Sequence, residues 1–239
     1  MTYTNLIPCL FILFNFFVLI NFSKIKFLKS NLDIPDNKRK IHSKPTPLAG
    51  GIILFLNMIL YFFIINLNQD LILSEDIFDN VFSFNIFILI YLFIFILGYF
   101  DDKLNLNANL KFIILSFLIL TLLIIDQNLI IKNIQLSFLK QNLILNNFGI
   151  LFTLFCFLVF MNALNMFDGI NLQSTIYSFI VFTSIYLFFL DSILIKILII
   201  FLIGFSYLNY KNKSFLGDSG TLTLAFIIGY FFIRLYNSD

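Results

Sequence analysis

Long apolar stretches separated by short polar breaks run along almost the whole chain. A helix needs about 20 apolar residues to cross a bilayer. Eight stretches approach that length, at about 6–22, 48–66, 84–100, 110–126, 148–164, 173–190, 194–209 and 221–236. In lipid only helices and closed barrels pair all their backbone groups, and these stretches lack the alternation of barrel strands. The pattern therefore predicts an all-α polytopic transmembrane helix bundle of about eight spans.

The composition supports a membrane protein and excludes a soluble globular domain. Hydrophobic residues make up 60% of the 239 residues and charged residues only 12%, which is more apolar surface than a soluble domain can bury. Residues 1–239 are therefore predicted to form a single integral membrane domain. The stretch 129–145 is too polar to span, and the alternation of Ile134, Leu136 and Phe138 with polar residues predicts a hairpin outside the bilayer. Cys9 and Cys156 fall in separate spans and are expected to remain unpaired.

Lysine and arginine residues are concentrated on one side of the predicted bundle. With the N-terminus outside, eleven of the fifteen such residues lie on the inner side, at Lys24, Lys26, Lys29, Lys38, Arg39, Lys40, Lys44, Lys103, Lys111, Lys211 and Lys213. Because positively charged loops stay in the cytoplasm, the N-terminus is predicted outside, and an even number of spans returns the C-terminus there. The basic residues are explained by orientation, and no nucleic-acid partner is expected.

Acidic residues lie at the inner ends of three predicted spans. Asp101 and Asp102 end the third span, Asp168 follows the fifth, and Asp218 precedes the eighth. Acids at this depth are costly unless they are paired or functional. Simpler interpretations remain open at each place: a solvated helix end balanced by Lys103, a capped helix end with an Asp-Gly turn, and an N-cap at Asp218.

The spacing of polar residues in the fifth span favours a metal. Asn162, Asn165 and Asp168 are separated by three residues each and share one face of a helix. Their amide and carboxylate oxygens suit Mg²⁺, with Mn²⁺ as the second possibility. Carboxylates alone would repel an anionic diphosphate, whereas a bridging Mg²⁺ resolves that conflict. Lys111 and Arg39 are then available to neutralise charge during phosphoryl transfer.

The loop from Lys24 to Lys44 is the most basic segment of the chain. It contains Arg39 and His42, which is the only histidine. The overlapping loop 33–51 is stiffened by three prolines and closed by two glycines, at Pro35, Pro45, Pro47, Gly50 and Gly51. Orientation or contact with anionic lipid explains the charge, and a solvent-facing histidine explains His42, but neither explains the prolines and glycines.

Four segments resemble a known family when they are taken together. DIPDNKRKIHSKPTPLAGG, GYFDDKLNLNANLK, NALNMFDGIN and FLGDSG occur in the order found in the polyprenyl-phosphate N-acetylhexosamine-1-phosphate transferases, glycosyltransferase family 4. The resemblance covers about residues 30–235. The basic loop with its Pro-Gly-Gly ending is more similar to the branch that uses UDP-N-acetylglucosamine, with undecaprenyl phosphate as acceptor, than to the muramoyl-pentapeptide branch.

The resemblance implies a reaction and a cellular location. Such enzymes use Mg²⁺ to transfer a sugar-1-phosphate, here expected to be N-acetylglucosamine-1-phosphate, from a UDP-sugar to polyprenyl phosphate in the membrane. UMP is released, and the product starts cell-wall or surface glycan synthesis. The expected location is the cytoplasmic membrane of a bacterium, with the site facing the cytoplasm, and a homodimer is compatible with it.

The resemblance also implies three catalytic residues. By motif match, Asp101 is the base that deprotonates the lipid phosphate, and Asp102 is its partner. Asp168 matches an acid of the catalytic site. These roles come from the motifs and not from the spacing of the residues.

The remaining motif residues are implied to bind the metal and the substrates. Asn165 and Asp218 match metal-coordinating positions, Lys111 matches a lysine that contacts phosphate, and Asn171 lies where the family contacts uridine. The basic loop contributes the substrate-binding residues Arg39, His42 and Lys44.

One feature of the family is missing from the sequence. The family continues past the eighth span with further helices and a loop of the His-x-His-His type, which helps to bind the sugar and the phosphates, whereas this chain ends at Asp239. The chain is therefore expected to be short at its C-terminus, either as an active variant or as an inactive membrane protein that still binds nucleotide sugar or lipid. A transporter is disfavoured, because its ion-coupling acids would lie at mid-membrane and not at helix ends.

Overall fold

The computed structural model describes residues 3–35, 44–67, 71, 75, 77–135 and 143–238, with side chains from residue 6 onward. This part of the chain forms eight α-helices. They are α1 Tyr3–Asn21, α2 Gly50–Leu67, α3 Val81–Leu104, α4 Ala108–Ile125, α5 Gly149–Phe167, α6 Gln173–Phe188, α7 Ile193–Tyr210 and α8 Gly217–Ser238. Each helix coincides with one of the predicted apolar stretches, which confirms the all-α polytopic bundle.

Six of these helices are long and apolar enough to cross a membrane, judged by length and composition: α2, α3, α4, α5 with the short turn before it, α7 and α8. The apolar parts of the other two, Leu6–Asn21 and Gln173–Phe188, are shorter. The number of spans and the outside position of the N-terminus stay predictions.

Two short antiparallel hairpins flank the helices. At one end of the bundle β1 (Leu32–Asp33) pairs with β2 (Thr46–Pro47) and closes the basic loop at its base. At the other end β3 (Asn133–Ile134) pairs with β4 (Leu143–Ile144), which agrees with the hairpin predicted for 129–145. Leu136 and Phe138 lie outside the described residues. Cys9 and Cys156 are not joined by a disulfide, as predicted.

Helix α8 lies at the centre of the bundle. It packs against α2, α3, α5 and α6, and nearly all of its side chains from Ser219 to Arg234 are buried. A helix that presents apolar and small residues on every side is stable only when other helices surround it. Asp218, in the first turn of α8, is therefore held among the ends of the neighbouring helices.

Glycines allow α2 and α3 to approach the start of α8 closely. A Cβ atom on Gly98 of α3 would lie 2.5 Å from the Cα atom of Ser219, and one on Gly51 of α2 would lie 2.5 Å from the backbone nitrogen of Gly220. Small residues at helix crossings permit this backbone approach within membranes. The two glycines thereby set the position of the first turn of α8.

Charged groups fix the end of the bundle that carries the β3–β4 hairpin. Arg234 of α8 forms ion pairs of 2.6 Å with both Asp79 and Asp126. Glu75 accepts hydrogen bonds from the backbone nitrogens of Ile193 and Leu194, at 2.9 and 3.3 Å, and so caps α7. Burial raises the pKa of the Glu75 carboxyl to about 7, against the lowering effect of these hydrogen bonds.

A reciprocal amide pair joins α1 to α2. The Nδ2 atom of Asn15 donates to Oδ1 of Asn57 at 2.7 Å, and Nδ2 of Asn57 donates to Oδ1 of Asn15 at 3.2 Å. Both side chains are buried. Each amide also donates to a carbonyl one turn earlier in its own helix, so the pair is fully satisfied within apolar surroundings.

We expect Asn57→Leu to destabilise the bundle by about 1–2 kcal/mol, because it leaves the amide of Asn15 buried without its partner. The double variant Asn15→Leu/Asn57→Leu should lose less than the single variant, since both polar groups are then removed. Unfolding in mixed micelles compares Asn57→Leu, Asn15→Leu and the double variant with the wild type. Additive losses in the two single variants and the double variant would contradict the coupling.

Candidate active site

The ends of four helices bring the predicted acids together. Asp101 comes from the last turn of α3, Lys111 from the first turn of α4, Asn165 from the end of α5 and Asp218 from the first turn of α8. They lie beside a cavity of about 1240 Å³. Its wall includes most of the predicted site residues: Lys44, Asp101, Asp102, Asn165, Asp168, Asn171 and Asp218.

A tight connection between α3 and α4 places Lys111 against Asp101. Asn105 ends α3 in the left-handed region at φ 50°, and its N–H donates to the carbonyl of Asp101. The backbone nitrogen of Leu106 then donates to Oδ1 of Asp101 at 2.9 Å. The side chain of Asn107 caps the start of α4. Polar caps on both helix ends thus reverse the chain within a few residues.

Lys111 bridges two carboxylates that belong to different helices. Its Nζ atom lies 2.5 Å from Oδ2 of Asp101 and 2.8 Å from Oδ2 of Asp218. Asp101 is buried and Lys111 is only 15% exposed. One ammonium group therefore serves two carboxylates, which leaves the group with a net negative charge.

Asn165 forms one hydrogen bond with Asp218 and another with Thr221. Its Nδ2 atom donates to Oδ2 of Asp218 at 3.4 Å, and its Oδ1 atom accepts a hydrogen bond from the Thr221 hydroxyl at 2.7 Å. Asn162, expected on the same face, instead donates to the carbonyl of Leu158 within α5. Helix α5 ends at Phe167, so Asp168 lies after the helix. Of the three polar residues predicted to share one face, only Asn165 contacts Asp218.

Asp102 caps the N-terminus of α8 from a different helix. Its Oδ1 atom accepts from the backbone nitrogen of Asp218 at 2.7 Å, and its Oδ2 atom accepts from the nitrogen and the hydroxyl of Ser219 at 3.1 and 2.7 Å. Gly217 makes this approach possible, because its φ is +74° and a Cβ atom there would lie 2.8 Å from Asp102. The N–H groups at the start of α8 form the kind of anion site common at helix N-termini, and the anion is Asp102.

The interpretation of Asp218 as an N-cap is wrong. Helix α8 begins at Gly217, so Asp218 lies inside the first turn. Its carboxylate contacts Lys111 and Asn165. Since Asp102 supplies the cap, the side chain of Asp218 is directed to the cluster beside the cavity.

Replacing Asp102 should separate this capping role from acid chemistry. We expect Asp102→Ala to lower stability by about 1–2 kcal/mol, because it removes the acceptor for three donors at the helix start. Asp102→Asn keeps one acceptor oxygen and should lose about half as much. Thermal unfolding of both variants in detergent measures the difference. An Asp102→Ala protein with the melting temperature of the wild type would contradict the capping role.

Asp168 follows the last residue of α5 at the cavity wall. Burial raises the pKa of its carboxyl to about 6, and the negative charge of Asp218 adds to the shift.

A residue that the sequence pattern did not single out connects the two loops around the cavity. Oδ1 of Asn209 accepts from the backbone nitrogen of Leu172 at 2.5 Å, and Nδ2 of Asn209 donates to the carbonyl of Ser214 at 3.0 Å. Leu172 takes the unusual φ of +68°. Asn171 hydrogen-bonds the side chain of Asn212 across the same junction. In the sequence, the only sign of this role is that Asn209 is a polar residue at the end of an apolar span.

The basic loop is only partly described. Lys44 is exposed and lines the cavity, next to the β1–β2 pairing. Arg39 and His42 lie outside the described residues, so their predicted contacts with substrate stay predictions.

The donor groups suit a divalent cation that is shared with a ligand. Within the described ranges, no group of three or more His, Cys, Asp or Glu side chains is arranged to hold a metal ion. Asp101 and Asp218, however, already share one cationic group, and Asn165 lies beside them. Mg²⁺ is usually bound by one or two carboxylates with waters and substrate phosphates, and this set fits that pattern.

Comparison with known proteins agrees with the geometry. A family model described as glycosyl transferase family 4 matches residues 84–236. Over 204 residues the chain is 27% identical to a Bacillus subtilis (strain 168) protein named probable undecaprenyl-phosphate N-acetylglucosaminyl 1-phosphate transferase. The alignment covers 82% of this chain and 53% of that protein, so the chain spans about half the length of this relative.

Proposed function

The chain belongs to glycosyl transferase family 4, and on that premise we propose that it transfers a sugar-1-phosphate from a UDP-sugar to polyprenyl phosphate. The proposed sugar is N-acetylglucosamine and the proposed lipid is undecaprenyl phosphate, as in the name of the bacterial relative. The main support for this proposal is the Asp101–Lys111–Asp218 cluster, which lies beside a cavity large enough for a nucleotide sugar.

The reaction is proposed to be an in-line displacement at phosphorus. An oxygen of the lipid phosphate forms a new P–O bond to the phosphorus that carries the sugar, and the bond from this phosphorus to UMP breaks. Two products result, a lipid diphosphate sugar and UMP. Catalysis of such transfers depends mainly on positioning and on compensation of phosphate charge.

The acids of the cluster have distinct proposed roles. Asp101 accepts the proton of the lipid phosphate, and Asp102 positions the start of α8. Asp218, with Asn165, would hold Mg²⁺ or Mn²⁺, which polarises phosphoryl oxygens when it is bound. Asp168 lies at the cavity wall near Asp218, where it would meet the nucleotide.

The cations and amides of the cavity are proposed to hold the substrates. Lys111 neutralises phosphate oxygens, and Asn171 contacts the uridine. Arg39, His42 and Lys44 of the basic loop are proposed to bind the substrate.

The site is proposed to face the cytoplasm of a bacterium, in the cytoplasmic membrane. Lys44, Lys103 and Lys211 line the cavity, and basic residues favour the cytoplasmic side of a membrane. This orientation gives a water-soluble UDP-sugar direct access to the site.

Purified membranes that contain the protein test the proposal. With radiolabelled UDP-N-acetylglucosamine, undecaprenyl phosphate and Mg²⁺, we expect label in the organic phase and an equal amount of UMP. Membranes without the protein serve as the background. If no lipid-linked label forms with Mg²⁺ or Mn²⁺, the transferase proposal fails. Binding of the UDP-sugar without turnover would support the second candidate, a binding protein without catalytic activity.

A further inference from the structure

The ammonium group of Lys111 occupies the place between Asp101 and Asp218. Both of its contacts are to Oδ2 atoms, at 2.5 and 2.8 Å. Among the described residues, these two carboxylates form ion pairs with no other cation. Oδ2 of Asp218, the proposed metal ligand, would therefore have to release Lys111 before it could bind a metal ion.

The position of Lys111 in its helix makes its release easier. Lys111 lies in the first turn of α4, where the helix dipole disfavours a positive charge. Its attachment thus depends on the two carboxylates and not on its own helix. The four-carbon side chain is flexible, and Lys111 is still 15% exposed.

Charge balance favours exchange of the ammonium for a divalent cation. Two carboxylates and one ammonium group leave a net charge of −1, which repels phosphates. With a divalent cation at Asp218, the three side chains and the ion carry a net charge of +1. The released ammonium then faces the cavity, where phosphate oxygens would be bound.

We propose that Lys111 is a displaceable resident cation, which holds Asp101 and Asp218 together until a divalent cation takes its place at Asp218 and frees it for phosphate. The inference rests on the proposed function, because it concerns the metal of that reaction. Metal binding and phosphate binding are thereby coupled through one side chain.

Mn²⁺ binding to the purified full chain, measured by electron paramagnetic resonance without substrate, tests the exchange. We expect Lys111→Gln to bind Mn²⁺ about tenfold more tightly than the wild type, because the competing cation is gone. Lys111→Arg, which keeps the charge, should bind like the wild type. Lys103→Gln is the matched control, since it removes an exposed neighbouring charge that has no contact with either carboxylate among the described residues.

Salt separates displacement from a long-range charge effect. In about 0.5 M NaCl the influence of a nearby unbound charge is screened, whereas competition for the Asp218 carboxylate persists. The gain in Lys111→Gln should therefore remain at high salt. UDP binding in the presence of Mn²⁺ should change in the opposite direction and weaken about tenfold, because the freed ammonium is lost.

Equal or weaker Mn²⁺ binding by Lys111→Gln, at an unchanged melting temperature, overturns the inference. Absence of Mn²⁺ binding in both wild type and Lys111→Gln overturns it as well. A protein that shows the exchange but forms no lipid-linked product would retain this inference and lose the transferase proposal. If Lys111→Gln does not fold, Lys111→Met in the same measurements gives the same two outcomes.

Discussion

Asp218→Asn is expected to lower the rate of sugar-phosphate transfer by roughly 100- to 1000-fold, the usual effect of removing one preorganised group that compensates transition-state charge. The variant removes the negative charge that Asp218 shares with Asp101 around Lys111. An asparagine still accepts a hydrogen bond from Lys111, so the bundle should remain folded. The initial rate of lipid-linked product, at equal protein in the membrane, measures the loss.

Asp191→Asn is the matched control for this variant. Asp191 lies in the connection before α7, at the end of the bundle away from the cavity. It is 73% exposed and pairs with Lys196 of α7. Its replacement should leave the transfer rate unchanged. An Asp218→Asn rate within tenfold of the wild type would remove Asp218 from the mechanism.

Gly98→Ala should prevent the site from forming. The added methyl group would lie 2.5 Å from the Cα atom of Ser219 and 2.8 Å from the carbonyl oxygen of Asp218. Both contacts are to backbone, which cannot move aside as a flexible side chain would. Overpacking of this kind costs about 1–3 kcal/mol or more, and here it also displaces the first turn of α8. We expect a lower melting temperature and a large loss of transfer activity.

Gly204→Ala tests whether the position or the substitution itself causes this loss. Gly204 is also inside a helix, and a Cβ atom there would lie 3.6 Å from Leu19, an ordinary contact. Alanine is favoured over glycine in a helix by about 1 kcal/mol, so this variant should be as stable as the wild type or more stable. Equal behaviour of the two variants would show that the α3–α8 crossing tolerates a larger residue.

Local features of the sequence predicted the helices and the positions of the acids. The apolar runs fixed where each helix lies to within a few residues, because a membrane helix satisfies its own backbone. The β3–β4 pairing agrees with the predicted hairpin. The alternation of apolar and polar residues that predicts it is also a local feature of the sequence. The resemblance in motif order predicted the family that the comparison with known proteins then showed.

Contacts between the ends of different helices could not be predicted from local sequence patterns. Asp101 and Asp102 are neighbours of the same type, yet successive residues of a helix point about 100° apart. Asp101 consequently meets Lys111, whereas Asp102 meets the start of α8. Which of the two faces which partner depends on how α3, α4 and α8 cross, and the sequence alone does not show that crossing.

Arg234 illustrates the same limit at the opposite end. It is one of the four basic residues that the charge pattern leaves for the outer side, but it is 8% exposed and paired with Asp79 and Asp126. A count of basic residues indicates a side of the membrane and not whether a residue is paired inside the bundle.

The central position of α8 has a consequence for biogenesis. Among the six candidate spans α8 has the lowest mean hydropathy, although it is the most enclosed. On its own it would partition poorly from the translocon into lipid. In the described part of the chain seven helices precede it, and α2, α3 and α5 form the groove that receives it. Insertion of α8 therefore depends on prior association of those helices, so the site forms only after α2, α3 and α5 have come together.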